Sequence, residues 1–122
     1  MKIKIMIAAL ITIAMHQFAF AQVVSCPSKL QLNQARFDEI LRGSRIWANI
    51  YEYSVRNKTP IVDSLGYYWI ISVELVTTSD DYAKKYAYQY VSSMRDEYKV
   101  ADNYNGKFYC QYDSEGVYAW TV

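Results

Sequence analysis

The sequence predicts one small α+β domain: an antiparallel sheet of about four strands, one long helix across it, a short N-terminal helix and one disulfide. Three observations carry that expectation. An alternating apolar run fills Gly66 to Thr77, a helix-period run follows it, and two short apolar segments flank a turn at the end of the chain. The order helix, two strands, helix, two strands gives the class.

The chain opens with a leader. Met1-Lys2-Ile3-Lys4 is cationic, Ile5 to Met15 is uncharged and apolar, and Ala19-Phe20-Ala21 sets small residues where a signal peptidase reads them. The expected domains are therefore a signal peptide over 1–21 and one α+β domain over 22–122. The apolar core is shorter than the roughly 20 residues that span a bilayer, and no other segment approaches that length, so no membrane span is expected in the mature chain. Val23-Val24-Ser25-Cys26 loosely resembles a lipobox. It lies far beyond the apolar core, and lipidation would leave Cys110 without a partner. The soluble, secreted or periplasmic product is the preferred reading over an anchor at Cys26.

In the mature chain, Asn33 is expected to cap a helix from Gln34 to Leu41 that places Phe37, Ile40 and Leu41 on one face before Gly43 ends it. Residues 45 to 55 read as a strand, and Ser54 to Leu65 as a polar connection containing Pro60. On the strand from Gly66 to Thr77, Tyr67, Trp69, Ile71, Val73 and Leu75 face one side. Thr78-Ser79-Asp80-Asp81 supplies hydroxyl caps and acids for a helix start. That helix is expected to run to Lys99, with Ala83, Tyr86, Ala87, Tyr90, Met94 and Tyr98 against the sheet. Asp102 to Gly106 reads as a break. Lys107 to Tyr112 and Val117 to Val122 then form a hairpin around Asp113-Ser114-Glu115-Gly116.

Composition excludes more chemistry than it selects. Removing Lys2 and Lys4 with the leader leaves 11 basic against 12 acidic residues, interspersed. A nucleic-acid partner would require a basic stripe, which is missing. The single histidine, His16, lies in the leader. Its removal takes away Ser-His-Asp catalysis, histidine general-base chemistry and the usual zinc sites. No catalytic residue, metal site or cofactor is assigned. Cys26 and Cys110, an even pair in an oxidising compartment, read as a disulfide worth about 4 kcal/mol in the chain-entropy account.

All 13 tyrosines and all three tryptophans follow the leader. Tyrosine offers a large ring and a hydroxyl that needs a partner, so it suits both the edge of a thin core and a binding face. Those on core-facing periods are expected to pack. The positions opposite the main core row, Tyr68 and Glu74, and the hairpin residues Tyr109, Tyr118 and Trp120, are the candidate contacts for a protein or glycan partner. Oligomeric state is left open.

Cys26-Pro27-Ser28 after a signal peptide, a central Trp47 and a closing Cys110-Gln111-Tyr112 before a glycine turn carry a resemblance. On these landmarks the chain resembles small exported proteins of unknown function from intracellular gamma-proteobacteria. The resemblance implies export from a bacterium and a structural disulfide, and no active site.

The leading functional expectation is an exported, non-catalytic binding or inhibitor-like module. The alternatives are a small carboxylate-dependent hydrolase of envelope polysaccharide, using two of Glu52, Glu74 and Asp63, and a structural envelope component. A glycosidase needs two carboxyls at a set separation. Glu52 and Glu74 would share the sheet face opposite the aromatic row if their strands pair. Asp80 and Asp81 are expected to serve the helix start, Asp96 and Glu97 its outer face, and Arg42, Arg45, Arg56 and Lys58 a solvated rim.

Overall fold

The computed structural model describes residues 25–104, 107–112 and 116–122. The expected leader, its cleavage after Ala21, Val23-Val24, and the turn residues Asn105-Gly106 and Asp113 to Glu115 lie outside the described residues.

The elements in chain order are α1 (Lys29–Leu32), β1 (Glu39–Trp47), β2 (Ile50–Arg56), β3 (Ile61–Val62), β4 (Tyr68–Thr77), α2 (Asp80–Ser93), β5 (Tyr98–Tyr104), β6 (Lys107–Tyr112) and β7 (Val117–Thr121). The α+β class with one disulfide agrees with the sequence. The strand number does not: one seven-stranded sheet runs β1-β2-β4-β7-β6-β5, with β3 paired to β4 beyond the end of β2. Every registered pair is antiparallel.

Three corrections explain the difference. The first concerns the N-terminal helix. It spans only Lys29–Leu32 and starts at Ser28, whose hydroxyl accepts the Gln31 N–H while the Gln31 side chain accepts the Ser28 N–H. The segment expected to be a helix to Leu41 instead enters β1, where Glu39 pairs with Arg56 and Leu41 with Ser54. Register shifts between Arg42 and Trp47 break the period-2 pattern that would have marked this strand. The second concerns residues 45 to 55, which hold the end of β1, a tight turn and β2. Ala48 adopts φ 49° in that turn, a conformation uncommon for a residue with a Cβ.

The third correction is at the end of α2. The helix stops at Ser93, where Met94 turns extended; in this last turn the Ser92 and Ser93 hydroxyls donate back to the Tyr88 and Gln89 carbonyls, which weakens the helix slightly. Residues 98–104, expected as helix end and break, form edge strand β5, where Tyr98 pairs with Tyr112. Ala83, Ala87, Val91 and Met94 face the core, and Tyr86 packs at its margin. Tyr90 and Tyr98 are partly exposed instead. The start agrees with expectation: Ser79 accepts the Tyr82 N–H, and Asp80 and Asp81 occupy the first turn.

One sheet face carries the core. Tyr53 and Val55 of β2, Trp69, Ile71, Val73 and Leu75 of β4, Cys110 and Tyr112 of β6, and Val117 and Ala119 of β7 are buried beneath α2 and the lead-in residues Leu32, Ala35 and Phe37. The Cys26–Cys110 disulfide closes an 84-residue separation and ties the lead-in to β6. Beside it the Tyr112 hydroxyl donates to the Pro27 carbonyl, which answers the polar end of a buried ring. Burial pushes the Tyr112 phenol far up, so it stays a donor.

Asn57 holds the step between β2 and β3. It is 2% exposed. Its Nδ2 donates to the Thr59 carbonyl at 2.9 Å and the Trp69 carbonyl at 3.2 Å, and its Oδ1 accepts the Ile71 N–H at 2.6 Å. The side chain thus supplies the bonds that a continuous β2 would have given β4 at this rung.

Candidate functional site

Alternation along the strands leaves the second sheet face without a covering element among the described residues. Its central rung can be read directly from the registers: Glu39, Arg56, Ser72, Tyr118, Gln111 and Lys99, crossing β1, β2, β4, β7, β6 and β5. One rung away on the same face lie Ile70, Trp120 and Tyr109. Tyr68 follows two residues beyond Ile70, beside Val122, whose N–H bonds to the Tyr68 carbonyl. On the other side of the central rung come Leu41, Ser54 and Glu74, then Glu52 opposite Val76.

All five candidate contacts predicted from the sequence, Tyr68, Glu74, Tyr109, Tyr118 and Trp120, therefore share this open face. Tyr109 and Tyr118 have ring centroids 5.7 Å apart. Tyr68 and Val76 are 52% and 51% exposed, and Trp47, which the register sets opposite Ile50 near the β1–β2 turn, is 73% exposed. These exposed apolar side chains are spread along the face, whereas Ile70, Tyr109, Tyr118 and Trp120 at its middle are half-buried.

A polar network lies among the rings. Glu74 accepts the Ser54 hydroxyl at 2.5 Å through Oε2 and the Ser72 hydroxyl at 2.9 Å through Oε1. Arg56 donates through Nε to the Ser72 hydroxyl at 3.4 Å, and its guanidinium lies 5.2 Å from the Trp120 ring centroid. Burial, with Tyr118 and the Glu74 carboxylate adding to it, pushes the Tyr109 phenol up, which keeps it a neutral hydrogen-bond donor. Gly116 lets this side of the sheet close. It adopts φ 89°, and a Cβ there would collide with the Glu74 carbonyl.

The rim arginines are more ordered than the sequence suggests. Arg56 is part of the face, and Arg42 stacks over Tyr51 at 4.7 Å on the helix side. Sequence reasoning also passed over Ser54, Ser72 and Ile70. Ser72 and Ile70 share the period-2 parity of Glu74, and Ser54 that of Glu52, but which rungs meet depends on the register.

The carboxylates divide. Glu52 and Glu74 line one shallow depression of about 150 Å³ with Leu41, Arg42, Gly43, Tyr53 and Ser54. Asp63 does not join them. Its carboxylate accepts the Leu65 and Tyr67 N–H groups at 2.9 Å and the Trp69 indole N–H at 2.8 Å, which makes it the organiser of the turn into β4. A second shallow depression of about 270 Å³, lined by Glu97, Tyr98, Lys99, Gln111 and Tyr112, lies at the β5–β6 edge. Among the described residues no group of three or more His, Cys, Asp or Glu could hold a metal ion, and no helix is long and apolar enough to cross a membrane.

No known protein family, curated protein or solved structure matches the chain.

Proposed function

We propose that this chain is an exported, non-catalytic binding module that engages a protein partner through its open sheet face. One observation carries the reading: a sheet buried on one side by α2 presents on the other side a cluster of tyrosine, tryptophan and arginine around Glu74. These residue types dominate binding hot spots, tyrosine and tryptophan because they give large contact area with few rotors and a polar tip, arginine because its planar fork donates several hydrogen bonds. Export rests on the leader and on a disulfide suited to an oxidising compartment.

The test is capture on immobilised protein from native envelope or host extracts. Tyr118→Ala with Trp120→Ala should abolish saturable capture, whereas Tyr82→Ala and Tyr90→Ala on the exposed side of α2 should leave it intact. A partner retained equally by the face double variant would contradict the assignment.

A second reading has one observation in its favour, the shared depression that holds Glu52 and Glu74. It would make the protein a carboxylate-dependent hydrolase of envelope polysaccharide. Both Glu74 oxygens already accept serine hydroxyls, which argues for a structural carboxylate. Turnover of a polysaccharide that disappears in both Glu52→Gln and Glu74→Gln would favour this reading.

A further inference from the structure

We propose that the protein occupying the open face is a second copy of this chain, so that two sheets close into a two-fold β-sandwich with a helix layer outside each. The proposal rests on the reading of that face as a binding surface, and three features of the face select the occupant.

The first is self-complementarity of the central rung. β4 and β7 are adjacent at the middle of the six-strand order. A two-fold axis parallel to the strands and between these two sets each β4 residue over its registered β7 partner in the other copy, and β2 and β1 over β6 and β5. Glu39 at one edge then lies over Lys99 of the other copy at the opposite edge, and the pair occurs twice. Arg56 meets the neutral Gln111. Opposite charges so placed favour a defined register, and the same charges in another register would repel.

The second feature is shape. The same operation sets Ile70 against Trp120 and Tyr68 against Val122. Each couple opposes a larger to a smaller side chain, which is how facing sheets interdigitate at about 10 Å separation.

The third is size. The six strands hold 44 residues, which at about 4.8 Å spacing and about 3.4 Å rise give a face of roughly 700 Å² per copy, close to the roughly 800 Å² per partner of a stable interface. Without the leader the chain carries 11 basic and 12 acidic residues, a formal net charge of −1, so no long-range repulsion opposes association.

The experiment is sedimentation velocity on the purified chain as the cell produces it, across the micromolar range, with far-ultraviolet dichroism to confirm folding of each variant. Wild type should show a monomer–dimer equilibrium. Glu39→Lys and Lys99→Glu should each weaken it roughly tenfold or more, and the double charge reversal should restore it to near wild type. Trp120→Arg, at the centre of the face, should be monomeric. A dimer indifferent to all of these changes overturns the proposal. So does a chain that stays monomeric throughout; in that case loss of capture by the Tyr118 and Trp120 variant would still carry the binding-face reading on its own.

Discussion

Two side chains show how single residues hold this sheet together. Asn57→Ala leaves the Trp69 carbonyl and the Ile71 N–H without their partner inside the core. Unfolding in urea should show a loss of about 3 kcal/mol, since each buried polar group left unpaired costs about 1–3 kcal/mol. Asp63 gives a pH signature. Burial alone would raise its pKa, but the Trp69, Tyr67, Leu65 and Gly66 donors outweigh it and hold the carboxyl below its ordinary 3.8. A folded-state pKa below the unfolded one contributes stability that is fully present above 3.8 and lost as pH falls through the lowered value. The stability gap between wild type and Asp63→Asn should therefore be widest near neutrality and shrink in acid. A gap that is unchanged at the lowest pH would contradict the role given to the charge.

At the scale of elements, legibility followed how local the signal was. The strand through Trp69, Ile71, Val73 and Leu75 buries every second residue, with Ser72 the one buried position on the other side, so its core period is visible in the sequence. The start of α2 is equally local, a serine cap with two acids in the first turn. The end of α2 is not, since Met94 and Tyr98 continue the helical spacing of Tyr86 and Tyr90 beyond Ser93, where the helix stops. β1 was hidden by its own irregularity. Phe37, Ile40 and Leu41 mimic a helix face, and only pairing with β2 decides otherwise. The Ser28-x-x-Gln31 box was a readable helix start that the competing Asn33 signal obscured. The disulfide needed only the count and the compartment. Replacing both Cys26 and Cys110 by serine should lower stability by about 4 kcal/mol in the chain-entropy account, measured by denaturant unfolding against the oxidised wild type. Gly116→Ala should also destabilise, because the positive φ and the nearby Glu74 carbonyl leave no room for a methyl group.

For the whole molecule, the decisive feature is a sheet with two unlike faces. The individual members Tyr68, Glu74, Tyr109, Tyr118 and Trp120 were legible because parity along each strand separates them from the core row. Their meeting point was not, because the order β2-β4-β7-β6 and its registers are long-range facts. Arg56 likewise looks like a rim charge until β2 is placed beside β4 and its guanidinium reaches Trp120. The three candidate carboxylates divide for the same reason, with Asp63 at a turn and Glu74 bonded to serines beside Glu52. What separates a binding face from a merely exposed one is occupancy in solution. Oxidative footprinting of the aromatic side chains, with the protein free and engaged, reads it directly. Tyr68, Tyr118 and Trp120 should lose reactivity on engagement while Tyr82 and Tyr88 on the helix keep theirs; unchanged labelling of the open face with protection of the helix tyrosines would contradict the assignment.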